Sequence, residues 1–154
     1  NSERDFVKDL CDYIKNENVS FQDKEIYLMR NRSRRGVGFF ESAGFYPDFI
    51  LWILTGGKQY ITFIDPHSMK WEAKNSDKVG LYKKLKEEIE PKLGEENIVL
   101  NSFILSPTRH DNLPDQMTSP EEWKKNHVLF MSEADYIKYL IEGILKDVEV
   151  AELK

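Results

Sequence analysis

Two apolar runs joined by a glycine pair restrict what this chain can fold into more than any other feature. "PDFILWIL" (47–54) and "KQYITFID" (58–65) are rich in aromatic and β-branched residues and apolar on both alternating faces, as strands buried on two sides are. Gly56-Gly57 lies between them, and glycines adopt the positive φ that a two-residue hairpin turn demands. The segment predicts a central antiparallel hairpin in which Thr55 faces Lys58. Stepping seven residues outward along each strand then brings Asp48 opposite Asp65, because antiparallel partners recede from the turn in step. Facing side chains lie on one face with Cβ atoms about 4.5–5.5 Å apart, which is unfavourable for two ionised carboxylates. Such a pair needs something to offset its repulsion.

The flanking elements follow from period and punctuation. "NSERDFVKDLCDYIKN" places Phe6, Val7, Leu10, Cys11 and Ile14 on one helical face, and Ser2 with Asp5 resembles a capping box. "KEIYLMR" (24–30) reads as a short strand, and the glycine-punctuated "GVGFFESAGFY" as an irregular return to the hairpin. "SDKVGLYKKLKEEIE" carries Val79, Tyr82, Leu85 and Ile89 near one face and predicts a second helix stopped by Pro91 and Gly94. "NIVLNSFILS" (97–106) and "HVLFM" (127–131) read as strands, with a short helix between them that opens at Ser119-Pro120. A last helix, capped by Ser132 with Asp135, would bury Tyr136, Ile137, Leu140, Ile141, Ile144, Leu145 and Val148. The expected order is αβββαβ-α-βα: an α/β fold with a mixed β-sheet flanked by helices.

A chain of 154 residues, 40% hydrophobic and 32% charged, fits one domain spanning 1–154. It opens on Asn1 without a signal-peptide pattern and looks cut from a longer protein. No apolar run approaches the roughly 20 residues that cross a bilayer, so a soluble, cytoplasmic setting without membrane contact is expected. The one cysteine, Cys11, excludes a disulfide within the chain and reads as a core residue. A net charge of −5 speaks against a general polyanion binder. Four of the six arginines nevertheless fall in "RNRSRR" (30–35), where a solvated loop and a phosphate clamp built on Arg34 and Arg35 are the two readings. No glycine-rich phosphate loop, Ser or Cys nucleophile motif or zinc spacing is present. No small-molecule cofactor is expected.

A hard divalent cation would relieve the paired aspartates, since Mg²⁺ is usually held by one or two carboxylates together with substrate phosphate and water. His67 lies two residues beyond Asp65 and so points to the same face. The plainer alternative is that both aspartates merely end strands at a solvent edge, where aspartate begins turns.

With a helix, three strands, "YPDF" opening the second strand and "FIDPH" closing the third, the chain resembles the PD-(D/E)xK nuclease superfamily, the restriction-endonuclease-like fold. It is most similar to the C-terminal nuclease domain of type III restriction subunits and related helicase-linked proteins. The similarity extends to "NSERDFV", "LMRNRSRRGVGFFE", "FYPDFILWI" and "HVLFMSEADYIKYL" and covers most of the chain. The resemblance implies an endonuclease of a restriction or related defence system. In that reading Asp48 and Asp65 hold Mg²⁺, with Mn²⁺ as its substitute, and Glu3 adds a helical carboxylate to the metal set. DNA is the partner, gripped by Arg34, Arg35 and Lys70 and delivered by a helicase or translocase that works with modification subunits. His67 stands where the superfamily pattern has lysine, so it would take over the assistance to the attacking water, with Lys70 and Lys74 as nearby sources of the missing charge. The alternative is a catalytically inactive module of the same fold, retained for DNA docking or subunit assembly.

Overall fold

The structure is a computed structural model describing residues 1–32, 34–36, 38, 45–72, 74 and 76–148. Helix α1 (Ser2–Asn16) buries Phe6 and Leu10. Its cap is Asn1, whose side-chain oxygen accepts from the backbone N–H of Glu3 at 2.9 Å and of Arg4 at 3.3 Å. The expected Ser2–Asp5 box does not form, because Ser2 is already inside the first turn. Cys11 is exposed, which corrects its placement in the core. One residue is 100° of helical rotation, and that step carries Cys11 beyond the strip that Phe6 and Leu10 press on the sheet.

Strands β1 (Glu25–Arg30), β2 (Phe49–Thr55), β3 (Lys58–Pro66), β4 (Ile98–Ser106) and β5 (Val128–Phe130) form one sheet in the order β1-β2-β3-β4-β5. The first two pairings are antiparallel and the last two parallel. Gly56 and Gly57 take φ of 58° and 76° at the hairpin tip. The register runs from Thr55↔Lys58 to Phe49↔Ile64, as the glycine pair predicted. The return between β1 and β2 lies largely outside the described residues.

Both faces of the sheet are covered, and the alternation of β2 to β4 decides what each face meets. Leu51, Ile53, Ile64, Phe103 and Leu105 pack with Phe6 and Leu10 of α1 and with Tyr136, Leu140 and Ile144 of helix α5 (Tyr136–Ile144). Ile50, Phe63 and Leu100 meet Leu81 and Leu85 on the other face. There the crossover from β3 to β4 is made of α2 (Leu81–Lys84), a π-turn (Leu85–Ile89) and α3 (Glu90–Leu93). Helix α4 (Pro120–Lys125) presses Trp123 onto Ile104, Val128 and Phe130 on that same side. Among the described residues no helix is long and apolar enough to cross a membrane.

Two terminators work differently from expectation. Pro91 does not stop the second helix but sits inside α3, and the stop is Gly94 at φ 65°. The π-turn just before it sends the Glu90 N–H back to the Leu85 carbonyl, a wider loop that accommodates a residue without a donor and with a ring that crowds the preceding turn. At the start of α5 no side chain caps the helix and the capping position is Asp135, so the Ser132–Asp135 box is also absent. Ser119 does cap α4, accepting from the Glu122 N–H at 3.1 Å.

Strand β5 covers only Ile104 to Ser106 of β4. Below it, side chains satisfy the strand edge: Leu100 N–H donates to Glu90 Oε2 and Ser102 N–H to Asn101 Oδ1, each at 2.9 Å. His127 Nδ1 donates to the Ser102 carbonyl at 3.0 Å. The His127 ring is stacked between Tyr82, centroids 3.7 Å apart, and Phe103 at 4.4 Å. Burial, reinforced by Lys146 and Lys86 and opposed by the Ser102 carbonyl, pushes its pKa down to about 4. A folded state that keeps this ring neutral is favoured above the ordinary value of 6.5 and loses that advantage as pH falls towards 4; the loss is on the order of 3 kcal/mol. Proton NMR titration of the ring is expected to give a midpoint near 4, and a midpoint near 6.5 would mean that the ring is not sandwiched.

Candidate active site

Three elements converge where β2 begins and β3 ends. Asp48 lies one step beyond the Phe49↔Ile64 pair, and its backbone N–H donates to Asp65 Oδ1 at 3.2 Å. The hairpin register therefore does bring the two aspartates together. Asn31, at the end of β1, fixes this corner: its N–H donates to the Asp48 carbonyl at 2.7 Å and its side-chain amide to the Pro47 carbonyl at 2.9 Å. From α1, Glu3 reaches Asp48 closely enough to hydrogen-bond with its carboxyl, and Arg30 Nη2 holds Glu3 Oε2 at 2.5 Å.

The electrostatics are those of crowded carboxylates. Asp65 is 6% exposed. Burial first, and then the negative charge of Asp48, raise its pKa to about 7, against smaller relief from the Asp48 N–H and from Lys78. Asp48 is raised too, by burial and by the charge and hydrogen bond of Glu3, while Asp65 and Arg30 pull it back. Both carboxyls are thus held against ionisation, and the contact that joins them is the Asp48 N–H to Asp65 Oδ1. Neither neighbouring cation cancels the excess charge.

His67 points to this group. Its Nδ1 stands 4.0 Å from Asp65 Oδ2, and its Nε2 lies 3.1 Å from Glu72 Oε1. Lys78 Nζ is 3.9 Å from the same Glu72 oxygen and 5.5 Å from the centre of the Phe45 ring. Glu72 and Lys78 are absent from the sequence-based site. They arrive by the irregular chain between β3 and α2, where no periodicity announces a direction; the one signal is that a buried acidic pair requires a cation near it. Lys74, expected to lend charge here, is paired instead with Glu122 at 2.6 Å. Lys70 is exposed on the short 3₁₀ turn Met69–Trp71.

Arg34 and Arg35 are exposed in the turn that follows β1, and Arg34 has φ 63°. Asn31, three residues before Arg34, ties the end of that strand to the Asp48 corner. His110 has structural partners: its Nε2 meets the Thr118 carbonyl at 2.6 Å and its ring stands edge-on to Phe130.

The donor chemistry fits a hard divalent cation. All of Asp48, Asp65 and Glu3 offer oxygen; burial and a neighbouring carboxylate, Glu3 for Asp48 and Asp48 for Asp65, raise the pKa of two of the three, and such a cation would offset that crowded negative charge. Among the described residues, however, no three histidine, cysteine or acidic side chains are already grouped as a metal site. Comparison of the chain with protein-family models, curated proteins and solved structures gives no match.

Proposed function

We propose that this chain is a Mg²⁺-dependent DNA endonuclease domain with the restriction-endonuclease-like fold. The observation that carries the reading is the pair Asp48–Asp65: two carboxyls brought together by the hairpin register, Asp65 buried and Asp48 half-buried, both raised in pKa. A fold does not keep such a pair for stability, since like charges at this separation weaken it. The strand order and directions support the fold assignment, as an antiparallel hairpin carrying both acids is followed by a helical crossover to a parallel strand.

In this reading Asp48 and Asp65 hold the cation, with Glu3 behind Asp48 and kept in place by Arg30. Bound there, Mg²⁺ or Mn²⁺ would supply a water of lowered pKa and positive charge against the phosphodiester. The chain's own task is positioning. Asn31 fixes the backbone of Pro47-Asp48, β4 fixes Asp65 through the Asp65↔Ile104 register, and His67 faces the acids from the side. Arg34, Arg35 and Lys70 are exposed cations for phosphate contact. A chain of net charge −5 binds polyanions weakly by itself, so a helicase or translocase of a restriction or defence system would deliver the DNA. One observation favours a second reading: histidine in place of the pattern's lysine suits a module of this fold that docks DNA or subunits without cutting.

Nicking of supercoiled plasmid by the purified chain with Mg²⁺ or Mn²⁺ tests the proposal, with Asp65→Asn prepared alongside. The variant is expected to lose roughly 10²–10³-fold or more of the rate. Equal nicking by both proteins would assign it to a contaminant, and divalent-cation binding without nicking, even with DNA and the translocase present, would leave the docking module.

A further inference from the structure

Glu72 has the geometry of an orienting carboxylate. It accepts and cannot donate, so the Nε2 of His67, 3.1 Å from Glu72 Oε1, carries the ring proton. In the neutral ring the lone pair then belongs to Nδ1, which faces Asp65 Oδ2 at 4.0 Å. That distance is too long for a hydrogen bond. It is also shorter than two metal–donor bonds of about 2.1 Å, so the two atoms are close enough to be donors to one cation. Lys78 Nζ lies 3.9 Å from the same Oε1 and adds a positive charge that keeps Glu72 in place.

We propose that His67 is a nitrogen donor to the cation beside Asp65, that Glu72 is the positioning residue that sets its tautomer and angle, and that the site consequently selects a divalent transition-metal cation such as Mn²⁺ over Mg²⁺. The inference rests on the reading of Asp48 and Asp65 as a cation site and goes beyond it by naming the third donor and the class of metal. An imidazole nitrogen suits transition metals, whereas Mg²⁺ keeps to oxygen. A histidine donor whose other nitrogen is held by a carboxylate is a recurrent metal-site arrangement, and loss of the outer carboxylate typically lowers metal affinity about 10–100-fold. His67 in this role is a donor and not the base that takes a proton from water.

The test is Mn²⁺ binding to the whole chain, followed by the electron paramagnetic resonance of free Mn²⁺, with competition by Mg²⁺. Unaltered protein is expected to prefer Mn²⁺ by more than about tenfold. His67→Ala and Glu72→Ala should each lose about 10–100-fold in Mn²⁺ affinity and little in Mg²⁺ affinity, with Glu72→Gln between them because it keeps an acceptor oxygen. Long-range ¹H–¹⁵N spectra of the metal-free protein should show His67 protonated on Nε2, and Glu72→Ala should mix the tautomers; a ring protonated on both nitrogens in the metal-free protein, with no Mn²⁺ preference, overturns the proposal. Melting curves separate these effects from loss of fold. If Mn²⁺ and Mg²⁺ both bind and neither substitution changes their ratio, the roles of His67 and Glu72 fall while the cation site stands. If the unaltered chain binds neither ion, the site reading falls and takes this inference with it.

Discussion

Asp65→Asn is expected to give a protein that no longer cuts and melts higher than the original at about pH 8. The folded Asp65 keeps its proton up to about pH 7, whereas an unconstrained aspartate releases it near 3.8. The stability this group contributes is therefore full below 3.8, declines through the interval and is gone above about 7. Ionised Asp65 costs on the order of 4 kcal/mol at the alkaline end. Asparagine removes the charge but keeps an oxygen to accept the Asp48 N–H, so most of that cost disappears. The difference between the two proteins should shrink towards zero as pH drops to about 4. An unchanged or lower melting temperature at about pH 8 would show that Asp48 and Asp65 do not strain the fold.

The same comparison isolates His127. From pH 7 to 4 the original protein gains stability at Asp65 and loses it at His127, two effects of similar size and opposite sign. These two contributions offset each other. With Asp65 replaced, that offset is gone and stability should fall more steeply on acidification than in the original protein.

Phe6→Ala carries the largest expected loss of stability. Phe6 is fully buried and meets Phe49 edge to face at 5.3 Å. Truncating a buried phenylalanine costs about 3–5 kcal/mol, a large share of the 5–15 kcal/mol that holds a typical domain together. Denaturant unfolding should show it, while Val19→Ala, at a position 75% exposed, should stay within about 0.5 kcal/mol. The effect is also local to the site. Phe6 lies one turn from Glu3 on α1 and Phe49 directly follows Asp48, so a loosened α1 withdraws Glu3 from Asp48 before the sheet melts.

What could be read in advance divides along physical lines. The hairpin register was legible because Gly56-Gly57 leaves a single short turn, and from there arithmetic alone brings Asp48 to Asp65. The faces of α1 and α5 were legible because burial imposes a period. Their ends were not: Asn1 rather than Ser2 caps α1, and no side chain caps α5, since a capping motif states only that a residue is able to cap. Cys11 shows that a stripe has an edge, which the contact with the sheet decides. Glu72 and Lys78 stayed hidden because the path from β3 to α2 has neither period nor turn signature, and Lys74, equally plausible from the sequence, goes to Glu122.

The short β5 has a consequence for how this sheet meets other chains. With Glu90, Asn101 and His127 standing in for the missing half of a strand, the Leu100 and Ser102 amides and the Ser102 carbonyl of β4 are taken, whereas among the described residues β1 pairs with β2 on one side alone. An exposed edge is a template for further strands. Among the described residues the sheet is bounded by the six-residue β1 on one side and the three-residue β5 on the other, so β1 is the longer edge open to a partner's strand.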